Sequence, residues 1–406
     1  MKVELHIIQN YPPSCLNRDD TNSPKTCDFG GYRRARISSQ CLKRAVRLHE
    51  AFRGDEAIAE HLATRSAWFP REVRDRLVEL GVDKADADAV CAELHRIAKK
   101  ETGADAEEAE APSEKRKGKA KKAAESLDEP ALKTAQLIFF GREEVDAFAE
   151  ELRRLLKEAG DKPDHRAIIS RLSKSGKLPK SCDIALFGRF VTSEHFTNAD
   201  AACQVAHAIS THRVSVEMDF FTAVDDLRPD EEGASAHLGV NEFHAPCLYR
   251  YSVVDMDLLA RNLAGDRELA RRTLRAFLRA SVLSHPTARQ NTYAAFTPPS
   301  LAMAVIREKG QPVQLSNAFA KPVHPHGQLG IIEASVRALA QHWNRLTRMY
   351  GGKDAPVTAV LSEVDLDLIE DAVDIRRGRV ETLDALLDAV DAGTAGWAGA
   401  EAGAKA

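Results

Sequence analysis

The chain has 406 residues, 44% of them hydrophobic and 29% charged, with a net charge of −4 from 57 Lys and Arg against 61 Asp and Glu. That length accommodates two or three domains, or one core with large insertions, and the composition is typical of a globular protein. Because a nucleic-acid-binding chain is usually basic as a whole, any such function must reside in a local patch.

Several protein classes are disfavoured at the outset. No apolar run is long enough to cross a bilayer, and the start, MKVELHIIQN, lacks the apolar block of a cleavable signal. The seven cysteines are scattered, odd in number and without a CxxC pair, which argues against a disulfide framework and a zinc ribbon. We expect a reducing, cytoplasmic setting with no membrane association, no metal site and no cofactor.

The first fifty residues predict two extended segments and a helix. Alternating Val3, Leu5 and Ile7 indicate a strand over residues 2–11, followed by a loop rich in Asn, Asp, Ser and Gly. Residues 33–37 are a second extended candidate. Ser38 or Ser39 is a good N-cap for a helix to about residue 52, with apolar positions at Leu42, Val46 and Leu48.

The next part of the chain reads as an insertion. Residues 56–100, 130–158 and 164–174 have helical patterns. Between them, residues 103–126 are an acidic block followed by a basic one, a composition that cannot bury a core and predicts disorder. We interpret residues 53–180 as a mostly helical insertion between two parts of one core.

From residue 183 the pattern changes to mixed strands and helices. DIALFGRFVTS predicts a strand and turn, residues 199–212 a helix, and EMDFFTAVDDL and HLGVNEFHAPCLYRYSVVDMD extended segments. Residues 257–283 and 329–350 predict helices, separated by the strand-like NTYAAFTPPSLAMAVIRE, and the Ala/Gly-rich tail after about residue 392 is expected to fray. The predicted fold class is α+β with a discontinuous core.

The stretch FGGYRRARISSQCLKRAVR concentrates positive charge in an acidic protein. From Arg33 to Arg47 there are six cations and no acidic residue, and residues 16–53 carry nine Lys/Arg against four Asp/Glu. Unpaired N–H groups at a helix start favour an anion, and Lys43 and Arg47 share a helix face. A run of donors and then cations suits a phosphodiester backbone. The competing interpretation is a solvated amphipathic helix.

The same stretch carries a family resemblance. PSCLNRDD, FGG and RRARISSQCLKRAVR resemble the N-terminal region of the type I-E CRISPR Cascade backbone subunit, the CasC family. DIALFGRF, AHAISTH, DFFTAVDDL, SAHLG and TYAAF agree in the same order, so the resemblance runs from residue 13 to about 320. The region 53–180 contributes little to it.

The resemblance implies a fold shaped like a right hand. An RRM-like (ferredoxin-like) palm would comprise residues 1–52 and 241–391, with a helical finger insertion at 53–180, an extended β-hairpin thumb within 181–240 and a disordered tail at 392–406. Several copies would line up along one CRISPR RNA (crRNA) as a helical filament. The palms would grip its backbone, and the thumbs would displace nucleotides of the guide–target duplex at regular intervals.

It also implies partners and binding residues. The partners would be the crRNA, target DNA, further copies of this chain and the other Cascade subunits: a large subunit, small subunits, a 5′-handle-binding subunit and a crRNA-processing endonuclease. Carried over position by position, the palm contacts are Arg18, Lys25, Ser38, Gln40, Lys43, Arg44 and Arg47. The thumb contacts are Phe190, Phe220, Phe221, Thr222 and Val224. The protein itself would not be an enzyme.

Two thumb positions depart from the familiar family pattern. Phe190 stands where a Met is familiar, and Phe220 where a Trp is. Both changes keep a large apolar face, which is what a wedge between bases requires. The alternative is that Phe220 and Phe221 are a buried strand pair. Neighbours in a strand point to opposite faces, so it is also open that one of the two rings is core and the other contacts RNA.

Three other interpretations remain open. Asp19, Asp20 and Asp28 lie where related type III backbone subunits carry a catalytic Asp, so a metal-dependent endoribonuclease is the alternative function. His195, His207, His212, His237 and His244 cluster in sequence but show no HxxxH or HExxH spacing, which favours ordinary polar histidines over a metal site. The basic run 115–122 is either a solvated linker or a cationic arm for duplex DNA.

Overall fold

The strands and helices of the chain come from a computed structural model that describes residues 1–94, 132–134, 136–160, 163–172, 178–224, 235–327, 329–350 and 357–399. The acidic-basic segment 103–126, including the basic run 115–122, lies outside these residues. Contacts divide the chain into two units. The first is Met1–Glu60 with Ala202–Ala406, and the second is His61–Ala201.

The strands, in chain order, are β1 (Lys2–Asn10), β2 (Thr26–Phe29), β3 (Tyr32–Ile37), β4 (Thr64–Ser66), β5 (Ile138–Phe140), β6 (Cys203–Val205), β7 (Ala208–Ser210), β8 (Glu217–Val224), β9 (Ser235–Phe243), β10 (Cys247–Asp255), β11 (Leu301–Arg307), β12 (Val357–Ser362) and β13 (Arg379–Val380). The α-helices are α1 (Ser39–Leu48), α2 (Glu50–Arg53), α3 (Phe69–Glu79), α4 (Lys84–Glu93), α5 (Arg142–Ala159), α6 (His165–Ser170), α7 (Cys182–Phe187), α8 (Met256–Asn262), α9 (Arg267–Leu283), α10 (Gln290–Tyr293), α11 (Ile331–Tyr350), α12 (Val373–Arg376) and α13 (Leu383–Gly399). None of these described helices is long and apolar enough to cross a bilayer.

One large sheet organises the first unit. Its strand order is β13-β12-β11-β1-β10-β7-β3-β2, and β6 also pairs with β10. Every described pairing is antiparallel except that between β12 and β13. Strands β8 and β9 form a separate two-stranded hairpin. The α+β class predicted from the sequence is confirmed as a mostly antiparallel sheet with helices.

Strand β1 lies near the centre of the sheet, between β11 and β10, and both of its faces are covered. Leu5 and Ile7 line one small gap together with Leu42 and Val46 of α1. The other face belongs to a core cluster that includes Trp343 of α11. Burial on both faces explains why the polar residues of this strand are buried as well, and each has partners.

The buried polar residues of β1 form hydrogen bonds across the sheet. Tyr251 donates its hydroxyl to Glu4 over 2.8 Å, and Arg307 forms an ion pair with the same carboxylate. His6 lies 2.9 Å from the Tyr249 hydroxyl. Burial, followed by the nearby charge of Arg307, lowers the pKa of His6 to about 3, so this imidazole stays neutral at physiological pH.

Two local predictions between residues 182 and 212 are wrong. The segment DIALFGRFVTS, predicted as a strand and turn from residue 183, instead begins within helix α7, which ends at Gly188 with φ +79°. All but the last residue of α7 are buried, and a short apolar run with buried residues on all sides has no periodicity that separates helix from strand. Residues 199–212, predicted as a helix, contain β6 and β7, because their pairing with β10 overrides the helix propensity of the alanines.

Two predicted helices have different limits. The helix predicted over 257–283 is split into α8 and α9 by Ala264 and Gly265, both with positive φ, and Asp266 caps α9 by accepting from the backbone N–H of Leu269. The tail predicted to be disordered from residue 392 instead continues α13 to Gly399. Thr394 is fully buried there, and Trp397 donates its indole N–H to Asp257 over 2.8 Å.

The second unit contains helices α3 to α7 and the β4–β5 ladder. Its core is aromatic: Phe69 packs edge-on against Phe140, Phe148 and Phe196, with ring centroids 4.9–5.1 Å apart. The described residues of the predicted insertion 53–180 are mostly helical. Residues 181–201, which were predicted to start the thumb, belong to this second unit.

Candidate nucleic-acid interface

Part of the basic stretch is structural. Arg34 is fully buried, and its guanidinium donates to five carbonyl oxygens, those of Phe29, Ser210, Thr211, Phe319 and Ala320, over 2.6–3.4 Å. Such a set satisfies a buried guanidinium without a carboxylate. Arg34 is therefore a fold determinant and is not available to a ligand.

The Gly pair also serves the fold. Gly30 and Gly31 form the two-residue turn between β2 and β3 with φ of +62° and +82°. A Cβ on Gly30 would lie 1.9 Å from the carbonyl oxygen of Ala320. The backbone that approaches Gly30 closely is therefore the chain's own.

The start of α1 is organised by Ser38 and Asn17. Ser38 is the N-cap, its hydroxyl accepting from the backbone N–H of Cys41 over 3.4 Å, as the sequence predicts. Asn17 accepts the Ser38 backbone N–H at its side chain and the Lys25 backbone N–H at its carbonyl, each over 2.8 Å. Asn17 thus fixes the preceding loop to the helix start, a role that the sequence analysis missed because Asn in a loop is commonplace.

The predicted palm cations lie on the outside of this structure. Arg18 and Arg44 are exposed, Lys25, Lys43 and Arg47 are half-buried, Gln40 is exposed and Ser38 is buried. Among the described residues, no carboxylate is within ion-pairing distance of Lys25, Lys43 or Arg44. The guanidinium of Arg18 is held by the side chain of Asn22 over 3.1 Å.

The half-buried thiol of Cys41 and the buried thiol of Cys203 show which cations lie near them. Burial raises the pKa of Cys41, and the charges of Lys25 and Arg44 oppose that rise, so both cations lie near this first-turn residue. Burial raises the pKa of Cys203 in β6 to about 12, and Lys43 opposes that rise. Lys25 and Arg44 therefore lie near the same thiol at the start of α1, and Lys43 lies near Cys203 of β6.

The β8–β9 hairpin presents an apolar face to solvent. Met218 is 62% exposed, Phe220 66% and Val240 48%, and the register pairs Phe220 with Val240. Thr222 lies on the same face of β8 and is exposed. An isolated two-stranded hairpin with exposed apolar side chains is marginal in water, which favours a partner on this face.

Phe221 lies on the opposite face of the hairpin. It is 40% exposed and pairs in register with Gly239, where an added Cβ would lie 2.2 Å from its ring. Neither Phe220 nor Phe221 is a core residue, so the buried-pair alternative is excluded for both. Val224 ends β8 beyond a register shift, and its side chain lies outside the described part of the structure.

Phe190 belongs to the second unit and is 85% exposed. Its neighbour Arg189 is buried. Arg189 forms an ion pair with Glu144 over 2.7 Å and donates to the carbonyl oxygens of Phe139 and Thr197. Phe190 is thus the available side chain of the two, displayed on a segment that Arg189 holds in place.

The acidic loop has local partners, and the described residues form no metal site. The Asp19 carboxylate accepts from the backbone N–H groups of Thr21 and Ser23 over 3.0 and 2.9 Å, and a hydrogen bond from the Thr21 hydroxyl is the main cause of its lowered pKa. All seven cysteines are free, and no group of three metal-ligating side chains occurs among the residues described. The side chain of His237 is outside them.

Comparison with known proteins gives a consistent assignment. The comparison with curated proteins gave no match. Among solved structures, the chain is similar to one in a "CRISPR RNA-guided surveillance complex, pre-nicking", with 30% identity, a TM-score of 0.72, and coverage of 97% of this chain and 100% of that one. A second, in a "CRISPR RNA-guided surveillance complex", is 27% identical with a TM-score of 0.63 and the same coverage.

A sequence profile covers nearly the whole chain as well. The profile of the CT1975-like proteins (Cas_CT1975) matches residues 3–389, so it includes both the sheet of the first unit and the inserted second unit. With that coverage, the chain belongs to the CT1975-like family of CRISPR-associated proteins.

Proposed function

We propose that this protein is the RNA-binding backbone subunit of a type I-E Cascade complex. Multiple copies polymerise along the crRNA, and the first unit serves as an RRM-like palm that grips its phosphates. The observation that carries this proposal is that Lys25, Lys43 and Arg44, at and before the Ser38-capped helix, have no carboxylate partner among the described residues, in the same unit as a hairpin with an exposed apolar face. The similarity to subunits of RNA-guided surveillance complexes supports it.

The two surfaces divide the work. Arg18, Lys25, Lys43, Arg44 and Arg47 meet phosphates, while Ser38 and Gln40 supply neutral groups near the helix start. Base pairing of the guide reads the target DNA, and the protein recognises only backbone and shape. The hairpin, with Phe220, Phe221, Thr222 and Val224, and separately Phe190, offer apolar faces for bases at each displaced nucleotide.

We also propose that the subunit binds without cleaving. Asp19 is engaged in closing its own loop, which leaves its Oδ1 occupied by hydrogen bonds. The partners are crRNA, target DNA, further copies of the chain and the remaining Cascade subunits, in the cytoplasm. The endoribonuclease alternative would use Asp28 or Asp20, both exposed.

One experiment tests both statements. The protein is purified after expression with a CRISPR array and the sister subunits, and its nucleic acid is sized and sequenced. RNA of one length class, retained in proportion to the protein, is expected. The complex is then incubated with Mg²⁺ or Mn²⁺ and a complementary RNA. An intact target supports binding alone, whereas regularly spaced products lost on Asp28→Ala would establish the nuclease.

A further inference from the structure

We infer that Arg36 and His207 form an additional phosphate subsite on the palm, and that His207 takes up a proton when a phosphate of the guide RNA binds there. This inference rests on the proposed function. It adds two residues to the interface and makes RNA binding dependent on pH.

The strand pairing brings the two side chains together. In the β3–β7 ladder Arg36 pairs with Ile209 and Ile37 with Ala208, so His207, one residue before β7, lies next to Arg36. The distance from Arg36 Nη1 to His207 Nδ1 is 3.0 Å. Arg36 Nε donates to the Thr26 carbonyl over 3.4 Å, and its backbone N–H donates to the Lys25 carbonyl over 2.9 Å.

The chemistry of this contact fixes the state of the imidazole. A guanidinium has no acceptor, so Nδ1 of His207 must accept, and the imidazole proton is then on Nε2. No described group bonds to Nε2 of His207 or to Nη2 of Arg36, and His207 is exposed. The pair therefore leaves two donors without a described partner, one on each residue, and phosphate oxygens accept from such donors.

The charges around His207 are positive. Burial, then Arg36 on β3, then Lys25 in the loop before β2, lower the pKa of His207. The neighbouring elements contribute the Cys27 thiol of β2, which is close to Arg36, and the Cys41 thiol and Arg44 of α1, which are close to Lys25. No described carboxylate shifts the pKa of His207.

A phosphate would reverse this balance. Its negative charge favours the imidazolium, so the pKa of His207 is higher in the complex than in the free protein. The added proton enters at Nδ1, which accepts from Arg36 in the free protein, so Arg36 Nη1 turns from the ring to the phosphate and both cations donate to it. Between these two pKa values, binding is accompanied by proton uptake, and affinity rises as the pH falls by at most about tenfold per pH unit. Above the pKa of the complex, the neutral imidazole still donates from Nε2, and the affinity no longer changes with pH.

The test is RNA binding by the full chain as a function of pH. A fluorescent single-stranded RNA of guide length is titrated from pH 5.5 to 8.0 at constant ionic strength. The wild type is expected to bind more tightly toward pH 5.5. His207→Gln keeps a donor but cannot titrate, and it should lose most of that dependence on pH. His326→Gln, at another exposed histidine of the same unit, is the matched control and should keep the slope.

A direct readout separates the subsite from the proposed function. In ¹⁵N-histidine NMR spectra the pKa of His207 should rise on adding the RNA. If His207→Gln keeps the wild-type pH slope, or the NMR pKa does not move, the subsite is wrong, even if Lys43→Glu/Arg44→Glu abolishes binding and so upholds the palm. If neither variant changes RNA binding at any pH, both the subsite and the palm are wrong.

Discussion

Helices α1 and α9 belong to the same unit and have similarly basic sequences, but their cations differ in whether they form ion pairs. Arg275 of α9 forms ion pairs with Asp388 over 2.8 Å and with Asp391, and Arg279 pairs with Asp384, all on the neighbouring helix α13. Lys43 and Arg44 of α1 have no such partners among the described residues. A count of positive charges therefore does not distinguish the two helices, whereas the pairing of those charges does.

The most completely paired cation of the basic stretch gives the largest expected effect. Arg34→Met removes a buried guanidinium that five carbonyl oxygens share, and leaves those oxygens unsatisfied. We expect a loss of about 3–5 kcal/mol in the free energy of unfolding, seen by urea denaturation or as insoluble protein. Arg36→Gln, two residues along the same strand, is the control and should remain folded. Equal stability of the two variants would contradict the structural role.

Charge reversal on the two helices should separate RNA binding from stability. Lys43→Glu/Arg44→Glu is expected to weaken RNA binding by at least about tenfold at low salt with an unchanged melting temperature, because both side chains face the anion and neither stabilises the fold. Arg275→Glu/Arg279→Glu should keep RNA and lose roughly 1–2 kcal/mol of stability, a modest value because these pairs are partly exposed to solvent. RNA loss in the α9 variant with its fold intact would overturn the comparison.

The hairpin supplies the next smaller effect. Because Phe220 is 66% exposed, Phe220→Ala should leave the thermal melt near that of the wild type. Loss of one stacking face should weaken pairing with complementary DNA by about 1–3 kcal/mol, while guide retention is unchanged. Phe296→Ala, at a phenylalanine that is 64% exposed in the same unit, is the matched control. A large drop in melting temperature would mean that Phe220 supports the fold instead.

Phe190 extends that test to the second unit. Phe190→Ala should also leave stability unchanged, since the ring is 85% exposed. Its neighbour Arg189 holds the segment through Glu144, so Arg189→Ala is expected to destabilise the second unit and does not report on nucleic acid. Melting temperature and DNA binding are measured for both variants. Weaker DNA binding by Phe190→Ala at an unchanged melting temperature would show that the Phe190 ring itself contacts nucleic acid.

The sequence predicted the local structure of the basic stretch better than that of residues 183–212. Ser38 as N-cap and the extended segment at 33–37 both follow from short-range signals. The roles of Arg34 and Gly30 could not be predicted, because their partners at Phe319 and Ala320 lie almost 300 residues away in sequence.

The secondary-structure predictions for residues 183–212 are wrong for the same reason. Short strands β6 and β7 exist only because β10 offers an unpaired edge, and α7 is buried on all sides, so neither shows the periodicity of its own structure. The Arg36–His207 contact likewise depends on the register of β3 with β7. Pattern analysis identifies elements with one exposed face and misses those whose structure is set by distant partners.

The smallest expected effect tests whether Lys25 belongs with the cations of α1. Lys25 lies near Cys41, as Arg44 does, and its backbone N–H is held by Asn17. If it contacts one phosphate, Lys25→Gln should lower the magnitude of the slope of log affinity against log salt by about 0.7, with only a modest loss of affinity near physiological salt. Arg261→Gln, at an exposed arginine of α8, should leave the slope unchanged. The slope is the informative quantity, because a general loosening of the loop would weaken binding at every salt concentration and leave the number of released counterions the same. An unchanged slope for Lys25→Gln would remove Lys25 from the interface and leave α1 as the main phosphate contact.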